Sequence, residues 1–305
     1  MAGPVPAAGR ESAGDDAAAA TIEVVADPAV MRARVLADRA AGRRVGFVPT
    51  MGALHAGHLA LVARAAAECD VVVASIFVNP TQFGAGEDFE RYPRPLSADV
   101  AALAPAGCRW VLVPPVEAIY PPGHATRIVV DGPAGGFEGA VRPGHFSGVA
   151  TVVCRLFQAV PADVAYFGAK DWQQTLVVKR MVRDLCLPIE LVVCPTVREP
   201  DGLAISSRNA YLSVADRRRA VALSESLALA AAMWPTDATV AAIERAMRAH
   251  LEAGGVAVDY AAVVDAESLG PVSDPAAAIA LVAGRLGGTR LIDNRLLPPR
   301  GEPHR

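Results

Sequence analysis

Two imidazoles stand three residues apart in Pro49-Thr50-Met51-Gly52-Ala53-Leu54-His55-Ala56-Gly57-His58, between an apolar β-branched run and a stretch of helical spacing. At a helix N-terminus, free backbone N–H groups and the helix dipole favour anions, and neighbouring glycines let a ligand approach the main chain. Met51, Gly52, Ala53, Leu54, His55, Ala56, Gly57 and His58 are therefore candidates to hold a polyphosphate, with imidazole N–H groups added to main-chain donors. The same spacing also describes two residues that merely share a helix face. A zinc pair has less behind it, because no cysteine or third histidine stands nearby at ligand spacing.

A second segment reads Phe167-Gly168-Ala169-Lys170-Asp171-Trp172-Gln173-Gln174. Only two of the 29 basic residues are lysines, Lys170 and Lys179, so a compact ammonium at position 170 stands out in a chain that otherwise writes arginine. Asp171 and Gln174, three apart at a helix start, offer a carboxylate and an amide on one face. The third segment, Arg198-Glu199-Pro200-Asp201-Gly202-Leu203-Ala204-Ile205-Ser206-Ser207-Arg208-Asn209, sets two hydroxyls and a guanidinium on a glycine-containing loop, the make-up of a phosphate clamp. Lesser candidates are Asn79-Pro80-Thr81-Gln82-Phe83 and Arg142-Pro143-Gly144-His145-Phe146. No G-x-x-x-x-G-K-[ST] occurs and no G-x-G-x-x-G follows the first strand, which excludes a P-loop enzyme and disfavours a dinucleotide oxidoreductase.

Positioning these segments requires strands that end beside one another. Apolar runs at Val45–Val48, Val71–Val78, Arg109–Val113, Asp163–Phe167 and Ile189–Val193 read as buried parallel strands. Helical spacing separates them: Leu59, Val62, Ala66 and Cys69, then Ser97–Leu103, Gly148–Val160 and Asp171–Leu185. The alternation predicts an α/β fold with a doubly wound parallel sheet, and its ligands lie beyond the carboxyl ends of the strands, in the loops after Val48, Val78, Val113 and Phe167. After Pro195 the pattern changes to two helical stretches, Ser213–Trp234 and Ala238–Glu252, and strand-like runs at Val256–Val264, Ala278–Val282 and Thr289–Ile292. We expect a mobile tail over residues 1–20, a Rossmann-like domain over 21–196 and a smaller α+β lid domain over 197–305, with a hinge near Cys194–Pro200. A triphosphate gripped between the two domains fits all three donor-rich segments.

With 305 residues, 52% hydrophobic and 20% charged, the chain can bury a core over most of its length. A net charge of −3 offers no broad cationic surface for nucleic acid. Five cysteines without a C-x-x-C pair suit a reducing cytosol, four of them sitting in apolar runs as buried hydrophobes would. No secretory leader or membrane span is visible, so a cytoplasmic protein with no membrane partner is expected.

PTMGALHAGH, FVNPTQF, RPGHFSGVATVV, FGAKDWQQ and VREPDGLAISSRNAYL occur in this order from about Ile22 to Arg295. On these motifs the chain resembles the pantothenate synthetase (pantoate–β-alanine ligase) family, within the nucleotidyltransferase superfamily that shares H-x-G-H. The resemblance implies a two-step reaction in which pantoate and ATP give pantoyl adenylate and pyrophosphate, and β-alanine then displaces AMP. It also implies Mg2+ and a homodimer. Carried over, Met51 to His58, Gly168, Ala169, Lys170, Asp171, Val197, Ile205, Ser206, Ser207 and Arg208 bind ATP, and His55, His58, Lys170 and Arg208 are catalytic, His58 as the residue usually assigned as proton donor. Gln82 and Gln174 hold pantoate, and Gln82 also lies near β-alanine. The metal ligands stay unassigned, with Asp99 the one carboxylate put forward. The chain departs from the common pattern at Ala169, where Glu is usual, at Trp172 for Tyr and at Ile205 for Met.

Two other readings share the fold. A nucleotidyltransferase acting on a phosphorylated acceptor is disfavoured by Gln82 and Gln174, whose neutral amides suit a hydroxy acid. A silent nucleotide-binding protein is disfavoured by the intact His55, His58, Lys170 and Ser206–Arg208 set.

Overall fold

The computed structural model describes residues 22–84 and 86–299, so the expected N-terminal tail lies outside the described residues. The first unit runs β1 (Glu23–Val25), α1 (Pro28–Ala40), β2 (Val45–Thr50), α2 (Ala56–Glu68), β3 (Val71–Ile76), α3 (Leu96–Leu103), β4 (Trp110–Leu112), the short helices α4 (Val116–Ile119) and α5 (Phe137–Val141), α6 (His145–Ala159), β5 (Val164–Gly168), α7 (Trp172–Asp184) and β6 (Glu190–Cys194). The six strands form one parallel sheet in the order β1-β4-β3-β2-β5-β6. Successive side chains alternate between two apolar layers, as a strand buried on both faces requires. Phe47, Val73, Ala165 and Phe167 face a core with Val35, Val152 and Val178, whereas Val48, Val72, Ala74 and Tyr166 face Leu61, Val62 and Leu103.

The predicted strands and helices of this unit are present, with ends shifted by at most three residues. β1 and α1 were not predicted. A three-residue strand is too short to show a period, and the available signal was the Asp27-Pro28 pair, in which Asp27 accepts from the Ala29 N–H at 2.7 Å and Pro28 opens the helix. Of the cysteines, Cys108 and Cys194 are buried, Cys69 and Cys154 are half-buried and Cys186 is exposed, and all five are free thiols.

The second unit holds α8 (Val214–Arg219), α9 (Val221–Met233), α10 (Val240–Ala253) and an antiparallel sheet of β7 (Ala257–Asp265), β8 (Ala278–Leu286) and β9 (Thr289–Leu296) in that order. The single helical stretch expected over 213–234 is two helices, because arginine-rich α8 buries nothing while α9 buries Leu223, Leu227 and Ala230. One sheet face packs Val263, Ala280 and Val282 on Leu227, Trp234, Ile243 and Met247. The opposite face lays Val264, Ile279 and Leu281 on Leu176 and Trp172 of α7. The antiparallel sheet is thus a middle layer between its own helices and the first unit.

A buried charge cluster closes that seam. Arg290 donates twice to Glu138 at 2.6 Å and once to Asp259 at 2.6 Å, and Tyr260 donates to Glu138 at 2.8 Å. Burial pushes the Glu138 carboxyl up, but Arg290 and Tyr260 outweigh it and hold it below the usual carboxylate range. Its contribution is therefore complete above the unfolded value and is lost as pH falls through the lowered folded one. Arg290→Ala leaves a buried carboxylate short of its counter-ion, and we expect a loss of about 3–5 kcal/mol at neutral pH. Urea unfolding at a series of pH values checks this, and the deficit should shrink below about pH 4.

Candidate active site

The sheet order reverses between β2 and β5, and the ladder joining them is short, pairing only Gly46 with Val164 and Phe47 with Ala165. A crevice at such a switch point receives the loops from both strand ends. The loop after β2 carries the histidines and the loop after β5 carries Lys170.

Gly52 (φ 81°) and Ala53 (φ 50°) both turn left-handed as the chain leaves β2. A left-handed alanine costs about 1–3 kcal/mol and persists only when its surroundings hold it. Asp99 of α3 does so, its carboxylate accepting the Ala53 N–H at 2.9 Å and the Leu54 N–H at 2.8 Å. A Cβ on residue 52 would stand 2.9 Å from Asp99 Oδ2, so the approach also requires glycine. Gly52 N–H goes to Thr50 Oγ1 at 3.1 Å, and Thr50 in turn donates to the Ser75 carbonyl.

His55 caps α2. Its Nδ1 accepts from Gly57 N–H at 3.2 Å and from the His58 N–H, while His58 Nδ1 accepts from His55 N–H at 3.4 Å. This corrects the expectation of a main-chain phosphate cradle: from Gly52 to His58, only the Ala56 N–H is left without a partner among the described residues. What faces the crevice instead is fixed by the caps. Each Nδ1 accepts, so each neutral ring carries its proton on Nε2 as a donor. The rings stand 4.1 Å apart at 30°. Burial, then His55 and Lys170, push His58 down to about 3, and burial and Lys170 also lower His55. Both rings are neutral at pH 7 before a ligand arrives, and a phosphate placed against them would raise both values.

A cleft of about 490 Å³ lies between the two units, lined by Lys170, Asp171, Gln174, Ser206 and Arg208 together with Arg142 and Arg290. Lys170 Nζ lies 4.0 Å from Asp171, so Asp171 supplies the neighbouring carboxylate that Ala169 does not. Asn294 of β9 donates to the carbonyls of Ala169 and Lys170 at 2.9 and 2.8 Å, fixing that turn from the second unit. Arg208 is not an open clamp: its Nε and Nη2 grip Asp88 at 3.1 and 3.0 Å. Ser207 Oγ donates to the Ala53 carbonyl at 3.0 Å and Ser206 caps the Arg208 N–H, which seats this turn against the histidine loop. Val197 and Ile205 are joined by a 3.0 Å main-chain hydrogen bond.

His55, His58 and Gln82 lie outside the cleft lining, linked to it by Ser207 and by the Lys170 and Asp171 charges that reach both rings. Gln82 accepts from Asn79 Nδ2 at 3.0 Å and donates to Met51 Sδ at 3.0 Å, which leaves one donor and one acceptor of its amide for a ligand. The loop after Val113 reaches the site through Tyr120, which donates to Asn79 Oδ1 at 2.8 Å, and through the Pro133 and Gly135 carbonyls, which accept from Gln173 at 3.0 and 2.9 Å. Sequence reasoning missed Asp88, Asn294 and Arg290, and for Asp88 the available signal was a carboxylate pair just after Gly84 and Gly86. Among the described residues no cluster of three or more His, Cys, Asp or Glu side chains could hold a metal ion, and the Asp99 oxygens are taken by N–H groups.

A parallel sheet whose switch point carries paired imidazoles and an ammonium beneath a guanidinium-bearing turn is the layout of a Rossmann-like, ATP-binding ligase. The family model described as Pantoate-beta-alanine ligase matches residues 23–296, and the chain belongs to that family. It is 50% identical over 288 residues to the pantothenate synthetase of Anaeromyxobacter dehalogenans, covering 91% of this chain and 99% of that protein. The crystal structure of pantothenate synthetase from Thermus thermophilus aligns with a TM-score of 0.86 at 52% identity, over 91% of this chain and all (100%) of that one. The pantoate–β-alanine ligase of Francisella tularensis, solved with β,γ-ATP and β-alanine, aligns with a TM-score of 0.75 at 33% identity, over 90% of this chain and 97% of that one.

Two measurements check this geometry. Nitrogen-15 NMR of the ligand-free protein should show both rings as Nε2–H tautomers with His58 uncharged down to about pH 5, and a His58 midpoint near its ordinary value of about 6.5 would refute the assignment. Asp99→Asn, which cannot accept both N–H groups at once, should raise the KM for ATP about tenfold, the scale of one lost charged hydrogen bond.

Proposed function

We propose that this chain joins pantoate to β-alanine at the expense of ATP, and that the crevice between the β2 and β5 loops holds the triphosphate. The convergence of neutral imidazole donors, an ammonium and a guanidinium on one crevice carries this reading. In the first step a pantoate carboxylate oxygen attacks the α-phosphorus and the bond to pyrophosphate breaks. That carboxylate is already ionised at about pH 7, so no base is needed. Negative charge grows on the leaving oxygens, and the Nε2–H groups of His55 and His58, Lys170 Nζ and Arg208 are the donors placed to meet it. Protonation of the leaving group by His58 would require the triphosphate first to raise its pKa.

Neutral amides at Gln82 and Gln174 suit the hydroxyl and carboxylate of pantoate, and Gln82 also borders the approach of β-alanine. The main-chain pair Val197–Ile205 and the Gly168–Asp171 turn would take the base and ribose. In the second step the β-alanine amine, once deprotonated, attacks the acyl carbon and AMP leaves with the bonding pair. No side chain among the described residues stands out as its base, so proximity carries much of this step. Opening at the hinge near Cys194–Pro200 would part Ser207 from Ala53 and Arg208 from Asp88.

The Mg2+ that the resemblance implies does not match a resident metal site, since Asp99 serves two N–H groups and Asp88 serves Arg208. Such an ion would arrive on the phosphates with its own waters, and no step above runs through it. No helix among the described residues is long and apolar enough to cross a membrane. Five free thiols support a cytoplasmic location. A homodimer is proposed from the family resemblance, and a light-scattering mass near one 31.6 kDa chain would reject it.

ATP–pyrophosphate exchange with pantoate and without β-alanine isolates the first step and should proceed, whereas exchange independent of pantoate would point to another acceptor. His58→Ala and Lys170→Ala should each slow it about tenfold to a thousandfold. Lys170→Arg should also be impaired, since a planar fork replaces a point charge. Parental rates in the alanine variants would remove both residues from these roles.

A further inference from the structure

The Arg142–His145 motif has no part in the reaction steps above, yet its contacts converge on one atom of the site. The turn Pro80–Gln82 is wedged against α6 at Gly148, where a Cβ would lie 2.3 Å from the Thr81 carbonyl oxygen and 2.8 Å from Gln82 Cα. One turn earlier on the same helix, His145 Nδ1 lies 2.9 Å from the Gln82 carbonyl oxygen, and Arg142 Nη2 donates to that oxygen at 3.2 Å. A carbonyl only accepts, so His145 carries its proton on Nδ1 and uses Nε2 to accept from Arg142 Nη1 at 3.1 Å. Arg142 is itself aimed by Glu87, with Nε to Oε1 at 2.8 Å and Nη2 to Oε2 at 2.6 Å. Burial, then Arg142, push His145 down to about 4, which keeps the ring neutral and its acceptor available.

We propose that His145 and Arg142 are positioning residues for Gln82: by filling both lone pairs of its carbonyl they fix where its side-chain amide meets pantoate. The inference rests on the reading of Gln82 as a pantoate-binding group. Main-chain placement matters here because the amide is already held on one edge by Asn79 and on the other by Met51 Sδ. Asn79 caps this same turn and moves with it, so a small drift of the turn would carry the amide away from Met51 Sδ.

The test compares His145→Ala, His145→Gln and His145→Asn with Gln82→Ala. Asparagine can present an N–H where Nδ1 stands, whereas glutamine reaches the Nε2 position. His145→Ala and His145→Gln should raise the KM for pantoate about tenfold, the scale of one lost hydrogen bond, with the KM for ATP within about twofold. His145→Asn should recover most of that loss. Gly148→Ala should shift pantoate KM in the same direction and serves if His145→Ala does not fold. If Gln82→Ala raises pantoate KM while the His145 variants leave it unchanged, raise both KM values together or show no rescue by asparagine, the positioning role is overturned. If Gln82→Ala itself leaves pantoate KM unchanged, the reading of Gln82 falls and takes this inference with it.

Discussion

The site depends on where one β-ladder stops. β2 and β3 pair along their whole length, six residues to six, whereas β2 and β5 pair at only two positions before the ladder ends. Beyond that point the strand ends are free to lead into separate loops. The parallel register puts both loops on the same edge of the sheet, and the reversal of winding sends α2 and α7 away to opposite faces. Histidine caps and an ammonium more than a hundred residues apart therefore share one crevice, and the second unit needs only to cover it.

Charge in that crevice is organised in pairs before any substrate arrives. Asp88 occupies Arg208, Glu87 occupies Arg142, Glu138 and Asp259 occupy Arg290, and Asp99 occupies two N–H groups. Buried charges require such partners, since an unpaired one costs several kcal/mol. Lys170 is the exception, its nearest carboxylate oxygen standing 4.0 Å away, and the two histidines are neutral. On the proposed reading an incoming triphosphate would meet donors already aimed rather than a pool of unpaired cations, so that little reorganisation would accompany charge development, which is where electrostatic catalysis gains most.

Much of this was legible in the residues. The β-branched runs separated by helical spacing announced the doubly wound sheet, and the rarity of lysine marked Lys170. His55, His58 and the Ser206–Arg208 turn were recognisable from residue type and position. The main-chain phosphate cradle was misread, because a helix N-terminus viewed alone has free N–H groups and nothing local shows that Asp99 and the two imidazoles consume them. Short β1 escaped for want of a period. The Arg142–His145 motif was visible as a motif, but its target, a carbonyl oxygen about 60 residues away, was not.

Local chemistry in the chain determined which groups sit at strand ends, which helices begin at a cap and which side chains carry charge, because these follow from neighbours a few residues away. The pairing of those groups was decided only on folding. Asp99 meets Ala53 across 46 residues, Arg208 meets Asp88 across 120 and Arg290 meets Glu138 across 152. Ion pairs and side-chain-to-backbone bonds over such separations depend on packing and burial, and neither quantity exists until the layers have closed.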